Sequence, residues 1–410
     1  MAPSHIDDAG EKEAVTDQSN GSGTPSKRGR TGTTSRRSLL KGAAAAAATL
    51  GTVGVATGGA AAQESSLPLS PDGKTTIEPG KYAWEGEELE IGSDAALVGG
   101  GSEGDVVLNL ESGTMQGTVE GTLENVVVRG KNPEPKAGLD LSPGATLDGF
   151  IWPEGGQQSE DRALYTDSGG DERVTIRNSA WGSMANNGAY VDKPPVTIEN
   201  CAAVNNNIAG IRVGHRDGTS SGKTSHVRNC LIAVTGEIPS DDTNSANARG
   251  LRIRHPGTFV IEDCYFVYLD VEGAGNPIEI EDDAPGSTVE IRNCAFYNET
   301  ENPLLVDETG GDLDLTVENC VAVGSGNHEI DAEFGGSGVT SDGDASFPTP
   351  GELTGYPSAD EIKGVGSGVG PWNSGGSAGG SQQEGDESGG DGSSEDSSED
   401  ASSVEFSRHA

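Results

Sequence analysis

One short phrase recurs through the middle of the chain and narrows what it can fold into. It reads Val174-Thr-Ile-Arg-Asn-Ser179, Val196-Thr-Ile-Glu-Asn-Cys201, Ser225-His-Val-Arg-Asn-Cys230, Phe259-Val-Ile-Glu-Asp-Cys264, Val289-Glu-Ile-Arg-Asn-Cys294 and Leu315-Thr-Val-Glu-Asn-Cys320, with a weaker copy at Gly121-Thr-Leu-Glu-Asn-Val126. From Asn178 the Asn or Asp recurs after 22, 29, 34, 30 and 26 residues. A constant phrase at variable spacing marks rungs of one solenoid whose loops differ in length. Inside the phrase the alternation has period two, so Val196 and Ile198 face one way while Thr197 and Glu199 face the other. A second short apolar strand precedes each copy: Gly188-Ala-Tyr-Val191, Gly210-Ile-Arg-Val213, Gly250-Leu-Arg-Ile253, Pro277-Ile-Glu-Ile280 and Pro303-Leu-Leu-Val306. No 3.6-residue pattern fills the gaps, which disfavours a leucine-rich horseshoe or a strand-helix barrel. Strands stacked on their counterparts one turn earlier predict a parallel β-helix.

Over about residues 75 to 345 these rungs, with the opening turn Ile77-Glu-Pro-Gly-Lys-Tyr82, resemble the right-handed parallel β-helix family, the pectate-lyase-like superfold. The resemblance implies an all-β, single-stranded right-handed solenoid of about ten rungs over 63–362. It leaves the chemistry open, because this fold hosts lyases, hydrolases, epimerases, adhesins and inert surface proteins. The five cysteines, Cys201, Cys230, Cys264, Cys294 and Cys320, each follow the Asn or Asp of a rung. Stacked about 4.8 Å apart, they are expected as an interior column of free thiols, since free cysteine packs as a small hydrophobe. The Asn/Asp column is expected as a hydrogen-bonded ladder at a bend, because Asn tolerates left-handed backbone.

The ends differ from the middle. Ser35-Arg36-Arg37-Ser38-Leu39-Leu40-Lys41, followed by an uncharged Ala/Gly-rich stretch, resembles a twin-arginine export signal, and Ala60-Ala61-Ala62 is an A-x-A-like cleavage site. Residues 1–62 are therefore expected to be a signal peptide, leaving no membrane span in the mature chain and a protein that is secreted or at the cell surface. Residues 363–410 are rich in Gly, Ser and acid, and 384–400 carry eight acids and no basic residue. Such composition predicts a disordered, solvating tail.

Charge sets the background for any site. The chain of 410 residues has 66 Asp and Glu against 26 Lys and Arg, a net charge of -40. That balance excludes a globally basic nucleic-acid binder and a ligand for anionic membranes. At about 1 M salt the Debye length falls to roughly 3 Å, so the self-repulsion of such a surface vanishes and adaptation to a salty medium is expected. Against this background the 62 residues from Lys193 to Arg254 hold eight basic and five acidic residues. This is where a groove for an anionic ligand is expected.

Aligning the strands that precede the phrase sets Tyr190, Arg212, Arg252, Glu279 and Leu305 in one outward column. Asp192, Gly214, Arg254, Glu281 and Asp307 form the next, and Lys193, His215, His255, Asp282 and Glu308 a third. The family resemblance makes an acidic polysaccharide or cell-surface glycan the natural partner. A lyase acting on one must neutralise a uronate carboxylate and supply a base beside it. Arg212, Arg252, Arg254 and His255 are the candidate catalytic residues, and Tyr190, Lys193, His215 and Arg216 the candidate substrate-binding residues. Glu279, Glu281 and Asp282 are a candidate calcium site. The same columns also place Arg252 opposite Glu279, Arg254 opposite Glu281 and His255 opposite Asp282, which reads equally as cross-rung ion pairs fixing register. The Arg-x-Pro-x-x-Arg of pectate lyases and the Asn-Thr-Asp and Gly-His-Gly of polygalacturonases are missing, so a non-catalytic structural or adhesive surface protein is the competing class. Of the aromatic candidates for sugar stacking, Trp84, Trp152, Trp181 and Tyr190, each is expected to pack in the core or in loops. Asn298-Glu299-Thr300 is a sequon expected in a loop.

Overall fold

The computed structural model describes residues 67–373 except 87, 134, 157–159, 241–243, 342 and 367, so the expected signal sequence and the acidic run lie outside the described residues. The chain winds as a parallel β-solenoid whose strands fall into a 19-stranded and a 10-stranded sheet, and every strand pairing is parallel. Each full turn has three faces. The repeated phrase makes the first, for example Val196–Glu199; a short strand after the Asn-Cys step makes the second, Ala202–Val204; and the strand before the next phrase makes the third, Ala209–Val213. The 19-stranded sheet holds the first two faces, and the 10-stranded sheet is the third.

The period-two pattern does what it predicted on the first face. Leu97, Leu123, Leu147, Ile176, Ile198, Val227, Ile261, Ile291 and Val317 stack in register as one interior column, each at most 3% exposed. Burying each such side chain is worth about 1.5–3 kcal/mol. At the corner to the second face, Asn178, Asn200, Asn229, Asp263, Asn293 and Asn319 all have φ between 47° and 55°. Asn200 donates to Asn178 at 3.1 Å and Asn229 to Asn200 at 2.8 Å, which is the expected ladder. All five cysteines are buried free thiols. Trp84, Trp152 and Trp181 are fully buried, each ring N–H donating to a backbone carbonyl.

The second face was not anticipated as a separate strand. Its residues are apolar on both sides, because the outward ones have a cover. Residues 344–373 run back over them as a strap: Phe347, Tyr356, Ala359 and Ile362 bury themselves on Val127, Ile151, Ala180, Ala202, Val204, Leu231, Ala233, Val267 and Ala295. A five-residue helix, Pro350–Thr354, starts the strap with a capping box between Thr349 and Glu352. Gly149 leaves room for the Tyr356 ring, Arg129 pairs with Glu361, and Asn205 donates to the Lys363 carbonyl at 2.9 Å. Trp372 closes the strap on itself through a 2.9 Å bond to the Phe347 carbonyl. Residues 363–373, grouped with the tail on composition, thus belong to the folded body. The sequon is also corrected: Asn298 is fully buried, its amide donating to the carbonyls of Asn302 and Asn327, so a folded chain offers no acceptor there.

Candidate functional site

Loops join the third-face strands to their neighbours at two corners. Residues 235–240, 244–248 and 269–277 stand at the corner from the second face, and a small apolar cluster of Val234, Ile238, Ala248 and Tyr268 lies there. Residues 166–173 and 214–223 stand at the corner to the first face, tied together by Ser220 to Asp171 and Thr219 to Gly170. Along the third face the outward column runs Tyr165, Tyr190, Arg212, Arg252, Glu279, Val306. Val306 stands where Leu305 was expected. Leu305 turns inward, continuing the buried column of Leu164, Ala189, Ile211, Leu251 and Ile278.

Two kinds of arginine emerge when the faces are compared. On the outside of the first face Asp148, Arg177, Glu199, Arg228, Glu262, Arg292 and Glu318 stack in register with strict alternation of sign. Arg177 bonds Asp148 at 2.9 Å, Arg228 bonds Glu199 at 2.7 Å, and Arg292 bonds Glu262 at 2.9 Å. That is how this chain fixes register with charge. The third face breaks the rule by setting Arg212 directly against Arg252. Like charges so placed repel. Glu281 relieves them, taking both Arg212 bonds at 3.1 and 2.9 Å and Arg252 at 3.1 Å, while Glu279 takes Arg252 and Arg249 at 2.8 Å each.

The expected pairing of Arg252 with Glu279 is present, and the other two are corrected. Arg254 donates at 2.9 Å to the Tyr190 hydroxyl instead of pairing with Glu281, whose oxygens are already occupied. His255 lies 3.1 Å from Asp192, not against Asp282. The three carboxylates proposed for calcium do not gather into a cation cage. Glu279 and Glu281 face arginines, Asp282 is exposed, and among the described residues no group of three or more His, Cys, Asp or Glu is arranged to hold a metal.

Tyr190 is the centre of the remaining cluster. Its ring packs edge-on to Tyr165 at 5.5 Å, with the Arg212 guanidinium 4.7 Å and the Arg162 guanidinium 5.3 Å from its centroid. Burial pushes the phenol's pKa up, so it stays protonated. Lys193 reaches the Asp167 carbonyl at 2.6 Å and sits 5.8 Å from the Tyr165 ring, and Arg216 lies 3.8 Å from Asp192. Among the described residues neither Arg162 nor Arg254 has a carboxylate within 4.0 Å, a condition shared by Arg173, whose guanidinium donates to the Val196 and Thr224 carbonyls. Arg162 escaped the sequence reading because its rung carries only the two-residue strand Leu164–Tyr165 and no good copy of the phrase.

His215 does not reach this cluster. It turns under the corner, 5.0 Å from the Phe259 ring and 2.8 Å from the Ser225 hydroxyl. Burial, then the charge of Arg173, lowers its pKa from 6.5 to about 4. A neutral imidazole in the fold means the unfolded chain takes the proton first as pH falls. Stability from this group is therefore intact above pH 6.5 and lost on the way down to pH 4, by about 3 kcal/mol. Unfolding measured at pH 7 and pH 4 should show His215→Gln losing less stability than the parent chain; parallel losses would contradict this assignment.

A parallel solenoid of about ten turns has the architecture of a parallel β-helix. Residues 163–345 match the family model described as a right handed beta helix region, which covers the rungs bearing the cluster. No curated protein and no solved structure matches the chain.

Proposed function

We propose that this is an exported, salt-adapted β-helix protein that binds an anionic polysaccharide outside the cell, along the outer side of its third face. One observation carries the reading: in a chain with 66 acids, Arg162 and Arg254 flank Tyr190 without a carboxylate partner among the described residues. Guanidiniums are the groups that recognise carboxylates with fixed geometry. Beside them Tyr165, half-buried and edge-on to the buried Tyr190, is the aromatic ring a sugar could meet. Export is supported by the Arg36-Arg37 signal, and among the described residues no helix is long and apolar enough to cross a membrane.

The competing reading, a non-catalytic structural surface protein, draws on the satisfied network of Arg212, Arg249, Arg252, Glu279 and Glu281. Those five residues hold rungs together under either reading. Retention on an immobilised polyuronate against a neutral glucan, both in molar salt, separates the two. Selective retention on the polyuronate is expected, and equal behaviour on both supports would reject the binding groove.

A further inference from the structure

In a chain whose residues are only 4% aromatic, Tyr265, Tyr297, Phe347 and Trp372 gather on the outer side of the second face. Phe347 is the buried floor, edge-on to Tyr265 at 6.3 Å and to Tyr297 at 6.1 Å. Trp372 is pinned by its ring N–H on the Phe347 carbonyl, yet it and Tyr265 are only half-buried. Tyr265, Phe347 and Trp372, with Pro348, Thr349 and Glu352 of the strap, line an open cleft of about 580 Å³. Clefts of that size take a small ligand or a few side chains. Tyr297 donates its hydroxyl to Glu299 at 2.6 Å, whereas the Tyr265 hydroxyl has no hydrogen-bond partner among the described residues.

The sequence beyond the strap offers an occupant. Val404-Glu-Phe-Ser-Arg-His409 lies outside the described residues. From residue 374 onward Val404 and Phe406 are the only large apolar side chains, and Arg408 is the only Lys or Arg. A stretch whose sole task is to solvate needs none of the three. The 30 residues from 374 to 403, rich in Gly and Ser, span about 30 Å as a random coil, which is ample because Trp372 itself lines the cleft. Charge matches as well. Glu352 stands exposed at the rim, its Oε2 accepting the Thr349 N–H at 2.8 Å, with a charge opposite to that of Arg408. A tethered segment meets its site at an effective concentration of about millimolar, so a weak contact is enough. Apolar burial persists in molar salt, where exposed ion pairs are screened.

We propose that residues 404–409 dock in this cleft of their own chain, with the Phe406 ring against Tyr265 and Trp372 and Arg408 beside Glu352. The acidic run of 384–400 is then held at both ends. The cleft is on the second face, so the docking is independent of what the third face binds.

Trp84, Trp152 and Trp181 are fully buried, so acrylamide quenching of tryptophan fluorescence reads Trp372. In the full chain at molar salt, Phe406→Ser should raise the quenching constant about threefold or more. The free peptide of residues 402–409, added at about millimolar concentration, should restore shielding to that variant, and the same peptide carrying Phe406→Ser should not. Equal quenching in the parent chain and in Phe406→Ser would overturn the proposal, as would a peptide that shields neither. Parent quenching that climbs to the variant's value on dilution from about 100 to about 1 μM would overturn it too, since the cleft would then hold the segment of a second copy.

Discussion

A chain ending at residue 343 is expected to unfold roughly 5–10 °C below the full chain and to self-associate, because a loss of several kcal/mol moves the midpoint on that scale. The strap buries Phe347, Tyr356 and Ile362 on a stripe of alanine, valine, leucine and isoleucine that crosses many rungs. Each large side chain contributes about 1.5–3 kcal/mol of gross burial, part of which ordering the strap offsets. Uncovered, the stripe is an apolar patch of the kind that drives association. Ile362→Ala isolates one contact and should cost about 2–4 kcal/mol if the side chain packs as described. Light scattering and thermal unfolding read both effects. A truncated chain that stays monomeric with an unchanged midpoint would show that the strap is not part of the stable body.

The second large effect concerns Arg162 and Arg254, the two guanidiniums beside Tyr190 without a carboxylate partner among the described residues. A charge-assisted hydrogen bond is worth about 1.5–3 kcal/mol, so Arg162→Ala combined with Arg254→Ala should weaken binding of an acidic oligosaccharide by about 10²- to 10⁴-fold. Among the described residues neither has a carboxylate within 4.0 Å to strand, so thermal unfolding should change only by the loss of the Arg254–Tyr190 hydrogen bond. Arg228→Ala makes the contrast. It removes an exposed member of the alternating ladder, which should leave affinity intact and cost no more than about 1 kcal/mol of stability. Equal loss of affinity in Arg228→Ala would mean that overall charge, not the groove, sets binding.

How far the residues announced this arrangement depends on whether one side of a strand was polar. The phrase from Val174 to Ser179 and its five later copies have one buried and one wet side, so period two revealed them and placed the thiol and Asn columns. Ala202–Val204 and Leu231–Val234 are apolar on both sides because the strap covers them, and period two vanishes there. Within the groove, alignment placed Tyr190, Arg212, Arg252 and Glu279 correctly because they sit inside strands. It misplaced His215, since extending the alternation past the strand end at Val213 ignores the turn that Gly214 begins. Two adjacent leucines, Leu304 and Leu305, hid a one-residue slip that only burial resolves. Partners two rungs apart, such as Arg212 with Glu281 or His255 with Asp192, depend on side-chain reach and an intervening glycine, which neighbour-by-neighbour alignment does not encode.

The most direct test of the central claim is diffraction from crystals of the protein with a uronate hexasaccharide in molar salt. The account predicts the sugar along the outer side of the third face, with a carboxylate within hydrogen-bond reach of Arg162 and Arg254 and a ring against Tyr165. A sugar bound on the first face or beside the strap, with Arg162 and Arg254 untouched, would contradict it.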